Sequence, residues 1–178
     1  METPVINWGR GHIQPFWNDE YQHLNYTKKP FNNPADLDRW REEGYTHPNE
    51  LFTGYLCDMN QPQPTWAAQL IEWFEDYFKV GDVGCSFYRM TTGTILPRHS
   101  DTYAAYRNMF GCESKDIVRA LVMPEAWASG HYLEIDNTII PTWNPGNFYW
   151  WRGDTPHMAA NIGVTDRYTI QLTGHTIG

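Results

Sequence analysis

Cysteine is scarce and poorly placed for metal or redox work. The chain has three, Cys57, Cys85 and Cys112, far apart and without a CxxC pair. Thiolate zinc sites and thioredoxin-type exchange therefore find no support, and free thiols fit a reducing compartment. Clustered positive charge is missing too. Lys and Arg number 13 against 21 Asp and Glu, the formal net charge is −8, and no basic run occurs. That balance argues against a phosphate-backbone partner. No stretch approaches the roughly 20 apolar residues of a membrane helix. The opening METPVINWGRGHIQPFW lacks a basic region followed by an apolar one, so the expectation is a cytoplasmic protein with neither secretion signal nor membrane span. Internal repeats, nucleophile elbows and phosphate-binding Gly loops are absent as well.

What the chain does have is apolar bulk, 41% of its residues, and an aromatic share of 16%. Its 178 residues suit one domain. Residues 1–63 are rich in Asn, Pro, Tyr and Trp and show little period. They read as an N-terminal wrap of ordered loops and short extended pieces. One short helix is expected around 34–43, with Asn33 as its cap and Pro34 in its first turn. Residues 64–79, PTWAAQLIEWFEDYFK, carry apolar side chains at 66, 70, 73, 74, 77 and 78. That spacing predicts an amphipathic helix, with Thr65 as its cap and a supporting role against the core.

Beyond Gly81 the texture changes to short β-prone runs split by Gly, Pro and Asn. They fall at 85–90, 93–99, 116–124, 131–136, 138–143, 146–153, 157–163 and 167–176. One helix before such a series predicts a mainly β fold, a jelly roll with the helix on its outside. Along 146–153, Phe148 and Trp150 share one strand face, and Tyr149 and Trp151 the other. One pair should line the interior and the other the outer side.

His99 and Asp101, in ILPRHSDTY, lie two residues apart at a strand end, where side chains share a face. His157, in RGDTPHMAANIG, opens a later strand after a turn. Two His and one carboxylate make the facial triad of non-haem Fe(II) oxygenases, which leaves one side of the metal open. Arg167 and Thr169, in RYTIQL, again share a face. A guanidinium fork beside a hydroxyl is a good carboxylate receptor, such as the distal carboxylate of 2-oxoglutarate needs.

In order and context, His99-Ser100-Asp101, His157 and Arg167-Tyr168-Thr169 resemble the Fe(II)- and 2-oxoglutarate-dependent oxygenases of the double-stranded β-helix, a cupin-like fold. FYRMTTGTILPRHSD resembles that family's strand, glycine turn and first-ligand strand. NPGNFYWWRGDTPHMAANIG is similar to its Gly-led strand into the second His. The resemblance covers residues 83–176. TPHMAANIGVTDRYTIQL and Arg119 look like the aspartyl/asparaginyl and free-proline hydroxylase branches, but some aspartyl hydroxylases lack the carboxylate ligand that Asp101 supplies here. The resemblance implies a dioxygenase with His99, Asp101 and His157 on Fe(II) and Arg167 and Thr169 on 2-oxoglutarate. Dioxygen is then consumed and a C–H bond is hydroxylated in an amino acid, a peptidyl prolyl or aspartyl/asparaginyl residue, or a small metabolite.

Tyr88 stands where related enzymes place a co-substrate contact, and as a strand aromatic it equally suits the core. Arg119, inside the apolar run IVRALVMP, needs an anion. Co-substrate or substrate could supply one, and so could an acidic side chain on a neighbouring element. Arg98 and Arg107 read as solvated charges. His12, His23, His47, His131 and His175 lack spaced partners and read as surface or core residues. Arg152-Gly153-Asp154 reads as a turn. Residues 101–116 and the wrap are the expected substrate lids. Three other readings use the same barrel: a cupin-like binding protein without turnover, a metal-free structural jelly roll, and a metal-dependent hydrolase or isomerase. The first has no need of the Arg167/Thr169 pair.

Overall fold

Alternating inward and outward side chains generate the architecture. A computed structural model of the chain describes residues 6–177. The N-terminal part contains β1 (Trp8–His12), β2 (Thr27–Pro30), α1 (Pro34–Glu42), the single-turn α2 (Pro48–Leu51) and β3 (Thr53–Cys57), followed by α3 (Ala67–Phe78). Then come β4 (Val80–Met90), β5 (Thr94–His99), α4 (Ala104–Phe110), β6 (Ile117–Val122), β7 (His131–Ile135) and β8 (Thr138–Ile140). β9 (Asn147–Arg152), β10 (His157–Asn161) and β11 (Arg167–Thr176) complete the chain. One sheet has the order β1-β9-β6-β11-β4-β3-β2 and the other β5-β10-β7-β8. Every strand pair among the described residues is antiparallel. This is the mainly β double-stranded β-helix expected from the strand series.

The larger sheet is apolar on both faces. Val118, Ala120 and Val122 of β6, Phe148 of β9, and Ile170 and Leu172 of β11 pack with Leu70 and Phe74 of α3. The odd-numbered neighbours Leu121, Tyr149 and Trp151 turn inward to meet Leu133, Ile135 and Ile140 of the smaller sheet. Burying a side chain such as Leu70 or Phe74 contributes about 1.5–3 kcal/mol. α3 starts one residue later than its expected cap implies, and Trp66, not Thr65, holds the cap position. The Thr65 hydroxyl instead donates to Glu20 at 2.9 Å. At α1, Asn33 does cap, accepting from the Ala35 N–H at 3.1 Å, with Pro34 in the first turn.

The short extended pieces expected in the wrap are strands of the larger sheet: β1 and the antiparallel β2–β3 pair form its opposite ends. β1 carries Gly9 and Gly11 opposite Trp150 and Phe148, and a Cβ at either glycine would run into those rings. The stretch 104–110 forms α4, which has no buried residue. No helix among the described residues is long and apolar enough to cross a membrane.

Candidate functional site

β5 and β10 pair so that His99 lies opposite His157, and their ring centroids are 4.4 Å apart. β5 ends at His99 and the chain bends, which brings the half-buried Asp101 back toward both rings. Its carboxylate lies 3.9 Å from His99 Nε2 and 3.8 Å from His157 Nε2. The three ligand atoms fall within 4.8 Å of one another. Each ring is oriented through its other nitrogen. His99 Nδ1 is 2.7 Å from the Pro97 carbonyl oxygen, and His157 Nδ1 is 3.0 Å from that of Thr155. With Nδ1–H donating to a carbonyl, the lone pair sits on Nε2 and points at the shared space. Phe31 and Trp40 pack edge-on against the His99 ring, and Trp151 lies 4.5 Å from that of His157.

Protonation favours ligation. Burial chiefly pushes the His157 imidazole below its ordinary value, against the pull of Asp101, and keeps it neutral near pH 7. Burial opposes ionisation of Asp101, but His157, Arg119, His99 and the Tyr103 hydroxyl outweigh it and hold the carboxyl below its usual range. Two imidazole nitrogens and one carboxylate oxygen suit a divalent transition metal.

A cavity of about 230 Å³ opens beside these three residues. Arg167 and Thr169 of β11, Tyr88 of β4 and Arg119 of β6 all line it. Arg167 is 4% exposed. Its guanidinium donates to the Tyr132 carbonyl at 2.8 Å and stands over the Trp143 ring at 5.2 Å. Its Nε has no partner, nor does the buried Tyr88 hydroxyl. Among the described residues no carboxylate approaches Arg167 within ion-pair range. Burial lowers its pKa to about 10, which still leaves it charged. Burial likewise pushes the Tyr88 phenol up, so it stays a neutral donor. A buried cation with vacant donors and no counter-ion is costly unless an anion joins it. Gly54 of β3 makes room for this arrangement, since a Cβ there would overlap the Tyr88 hydroxyl.

Arg119 takes the second of its two expected partners. Its guanidinium lies 3.7 Å from Asp101 and 3.0 Å from Gln171 Oε1, and stacks over Tyr103 at 5.2 Å. Its Nε is buried and unpaired. Arg98 is less solvated than expected, since it meets Glu134 at 3.2 Å and Asn137 at 2.5 Å. Arg107 is exposed on α4, and residues 153–154 form a turn. His131 and His175 lie away from the triad, beside Thr165 and Asp82 respectively. Sequence reasoning missed Gln171, Tyr103 and the two orienting carbonyls. Gln171 was within reach, as the next inward position after Arg167 and Thr169. Tyr103 was not, because its backbone is left-handed (φ 51°) and its ring reaches Trp151 Nε1 across the fold.

No protein-family model and no curated protein matches the sequence. Solved structures do. A Pseudomonas putida prolyl-4-hydroxylase superposes with a TM-score of 0.53 at 15% identity, over 90% of this chain and 97% of that one. A non-heme α-ketoglutarate-dependent epimerase of nogalamycin biosynthesis superposes with a TM-score of 0.55 at 9% identity, over 87% and 80%. At these identities the likeness is one of fold alone. The chain is a double-stranded β-helix protein with a His-Asp-His cluster able to hold a metal.

Proposed function

We propose that the protein is an Fe(II)- and 2-oxoglutarate-dependent dioxygenase that hydroxylates a C–H bond. The observation that carries this reading is the pairing of two features in one cavity. A His-Asp-His cluster stands beside a buried, unpaired guanidinium with a vacant phenol next to it. A metal-binding cupin requires the first and has no use for the second. His99, Asp101 and His157 would hold the iron. Arg167, Thr169 and Tyr88 would take the distal carboxylate of 2-oxoglutarate.

When bound, iron and 2-oxoglutarate supply an oxidising centre that uses dioxygen, releases succinate and CO2 and inserts a hydroxyl group. The chain's residues do the rest. The Pro97 and Thr155 carbonyls fix the imidazoles, so Nε2 presents without rearrangement. Arg167 is held by Tyr132 and Trp143 before any ligand arrives, which lowers the ordering cost of binding. Leu121, Leu133 and Trp151 exclude water from one side of the cavity. The substrate is a small molecule or a residue of a peptide.

Anaerobic titration of Fe(II) and 2-oxoglutarate tests the proposal. A saturable visible charge-transfer band is expected, absent in His157→Ala and in Asp101→Ala. Iron binding without the band would assign the site to a metal cupin that works without 2-oxoglutarate. No iron binding would reduce the cluster to a polar strand end.

A further inference from the structure

A second cavity, of about 220 Å³, shares Arg119, Gln171 and Leu56 with the first. The two are successive chambers along the inward face of β11. Arg167 and Thr169 line the first, Gln171 both, and Thr173 the second. On the proposed reading, 2-oxoglutarate occupies the Arg167 end. A substrate must then reach the cluster from the other side, where Arg119 stands 3.7 Å from Asp101. We infer that the second cavity is the substrate chamber and that it takes a small free carboxylic acid with an apolar chain, its carboxylate on Arg119.

Three observations support that occupant. First, Arg119 keeps a buried, unpartnered Nε, and its contact with Asp101 is long. Once Asp101 turns its charge to a divalent ion, Arg119 lacks a full counter-charge. With Asp101, Arg167 and a dianionic co-substrate also present, the centre is left one positive charge over. A single carboxylate balances it. Second, the remaining walls are soft and largely apolar: Leu56, Met59, Met109 and Ala105, with Tyr106 beside them. Methionines adapt to a chain without fixing its shape. Third, the roof is α4, which has no buried residue and is tied down through the Tyr106 hydroxyl to the Asp82 carbonyl at 2.8 Å. Tyr106 also meets His175 Nδ1 at 3.2 Å and Phe110 packs beside that ring, so α4 is held through these two side chains while Met109 stays exposed at the chamber's edge. The chamber's volume is small beside the pockets of about 300–1,000 Å³ that hold drug-sized ligands, which suits a small molecule. Asp58 also lines the chamber, and it would receive the ammonium group if the acid is an amino acid.

The inference rests on the proposed function, and its test separates the two. The full chain is loaded anaerobically with Fe(II) and saturating 2-oxoglutarate. Calorimetry then follows binding of straight-chain acids from butanoate to octanoate, their α-amino counterparts and their neutral amides. At least one acid should bind, with its amide about tenfold weaker or more, as for a lost charge-assisted hydrogen bond. Met109→Trp, which fills the chamber from α4 and lies away from the cluster, should abolish that binding and leave the charge-transfer band intact. Arg119→Gln should erase the preference for acid over amide. The inference is overturned if no acid binds, if acids and amides bind alike, or if binding survives Met109→Trp. Absence of the band in the unaltered protein sinks the proposed function alone, because acid binding lost in Met109→Trp would still assign the chamber.

Discussion

At the scale of the residue, Arg167 concentrates the argument. A guanidinium 4% exposed and without a carboxylate partner opposes folding of the empty protein. The Tyr132 carbonyl and the Trp143 ring meet part of that cost, and an anion in the cavity would meet the rest. Replacing Arg167 with Gln should raise the 2-oxoglutarate concentration needed for half-saturation by about 10- to 100-fold, from the loss of about 1.5–3 kcal/mol of charge-assisted hydrogen bonding. Manganese binding, followed by its electron paramagnetic resonance signal, should stay unchanged. Arg167→Met should lose 2-oxoglutarate equally and yet melt no lower than the parent in the absence of ligand, since an apolar chain of similar volume removes the unpaired charge. A lower melting temperature would mean that the Tyr132 carbonyl and the Trp143 ring already satisfy the guanidinium. The arginine would then be structural.

At the scale of the element, the site depends on how β3 lies against β4. Leu56 pairs with Tyr88, and Gly54 leaves the space that the Tyr88 hydroxyl fills. Gly54→Ala should displace the Tyr88 ring at a cost of about 1–3 kcal/mol, as overpacking does. It should also weaken 2-oxoglutarate binding with little effect on the metal. Titration of each ligand in the variant checks this; equal loss of both would point to general unfolding of the edge. On the other side of the sheet, Phe74→Ala in α3 should cost about 3–5 kcal/mol in urea unfolding and leave ligand affinities alone in the protein that remains folded. The same elements show where a sequence can be read. The eight strands after Gly81 announce themselves because β-branched and aromatic residues alternate between turn residues. His99 and His157 could be picked out because they sit at strand ends, and Asp101 by its spacing from His99, although a bend after β5 rather than strand period brings it back to both rings. β1 could not, since its glycines were chosen for the Trp150 and Phe148 rings rather than for strand propensity. Nor could α4, which has no buried face to print a period on the sequence. The Arg119–Asp101–Gln171 contact is likewise set by pairing across three distant segments, and no local pattern encodes it.

At the scale of the whole molecule, the buried histidines tie stability to pH. His131 is 6% exposed and His157 8%. Burial is the main force holding both imidazoles below the ordinary value of 6.5. At His131 the Arg167 charge adds to it, and the Thr165 carbonyl works against it. In the unfolded chain they take up protons near 6.5, whereas in the folded chain they refuse them. The unfolded state therefore binds more protons from about pH 6.5 down to the lowered folded values, and stability must fall as pH falls through that window. Asp101 adds to the same trend further down. Its carboxyl is held below 3.8 in the fold, so its stabilising contribution is lost as pH drops past that value. His131→Asn separates a structural histidine from a ligating one, because His131 lies outside the His-Asp-His cluster. Denaturant midpoints from about pH 7.5 to about pH 5 should decline less steeply in that variant than in the parent. An unchanged decline would show that His131 takes its proton within the fold. With Mn(II) and 2-oxoglutarate present, the parent should gain stability at neutral pH and lose it more steeply on acidification, since protons then compete with the metal for His157. His131→Asn should keep that added steepness, whereas Asp101→Ala should abolish it.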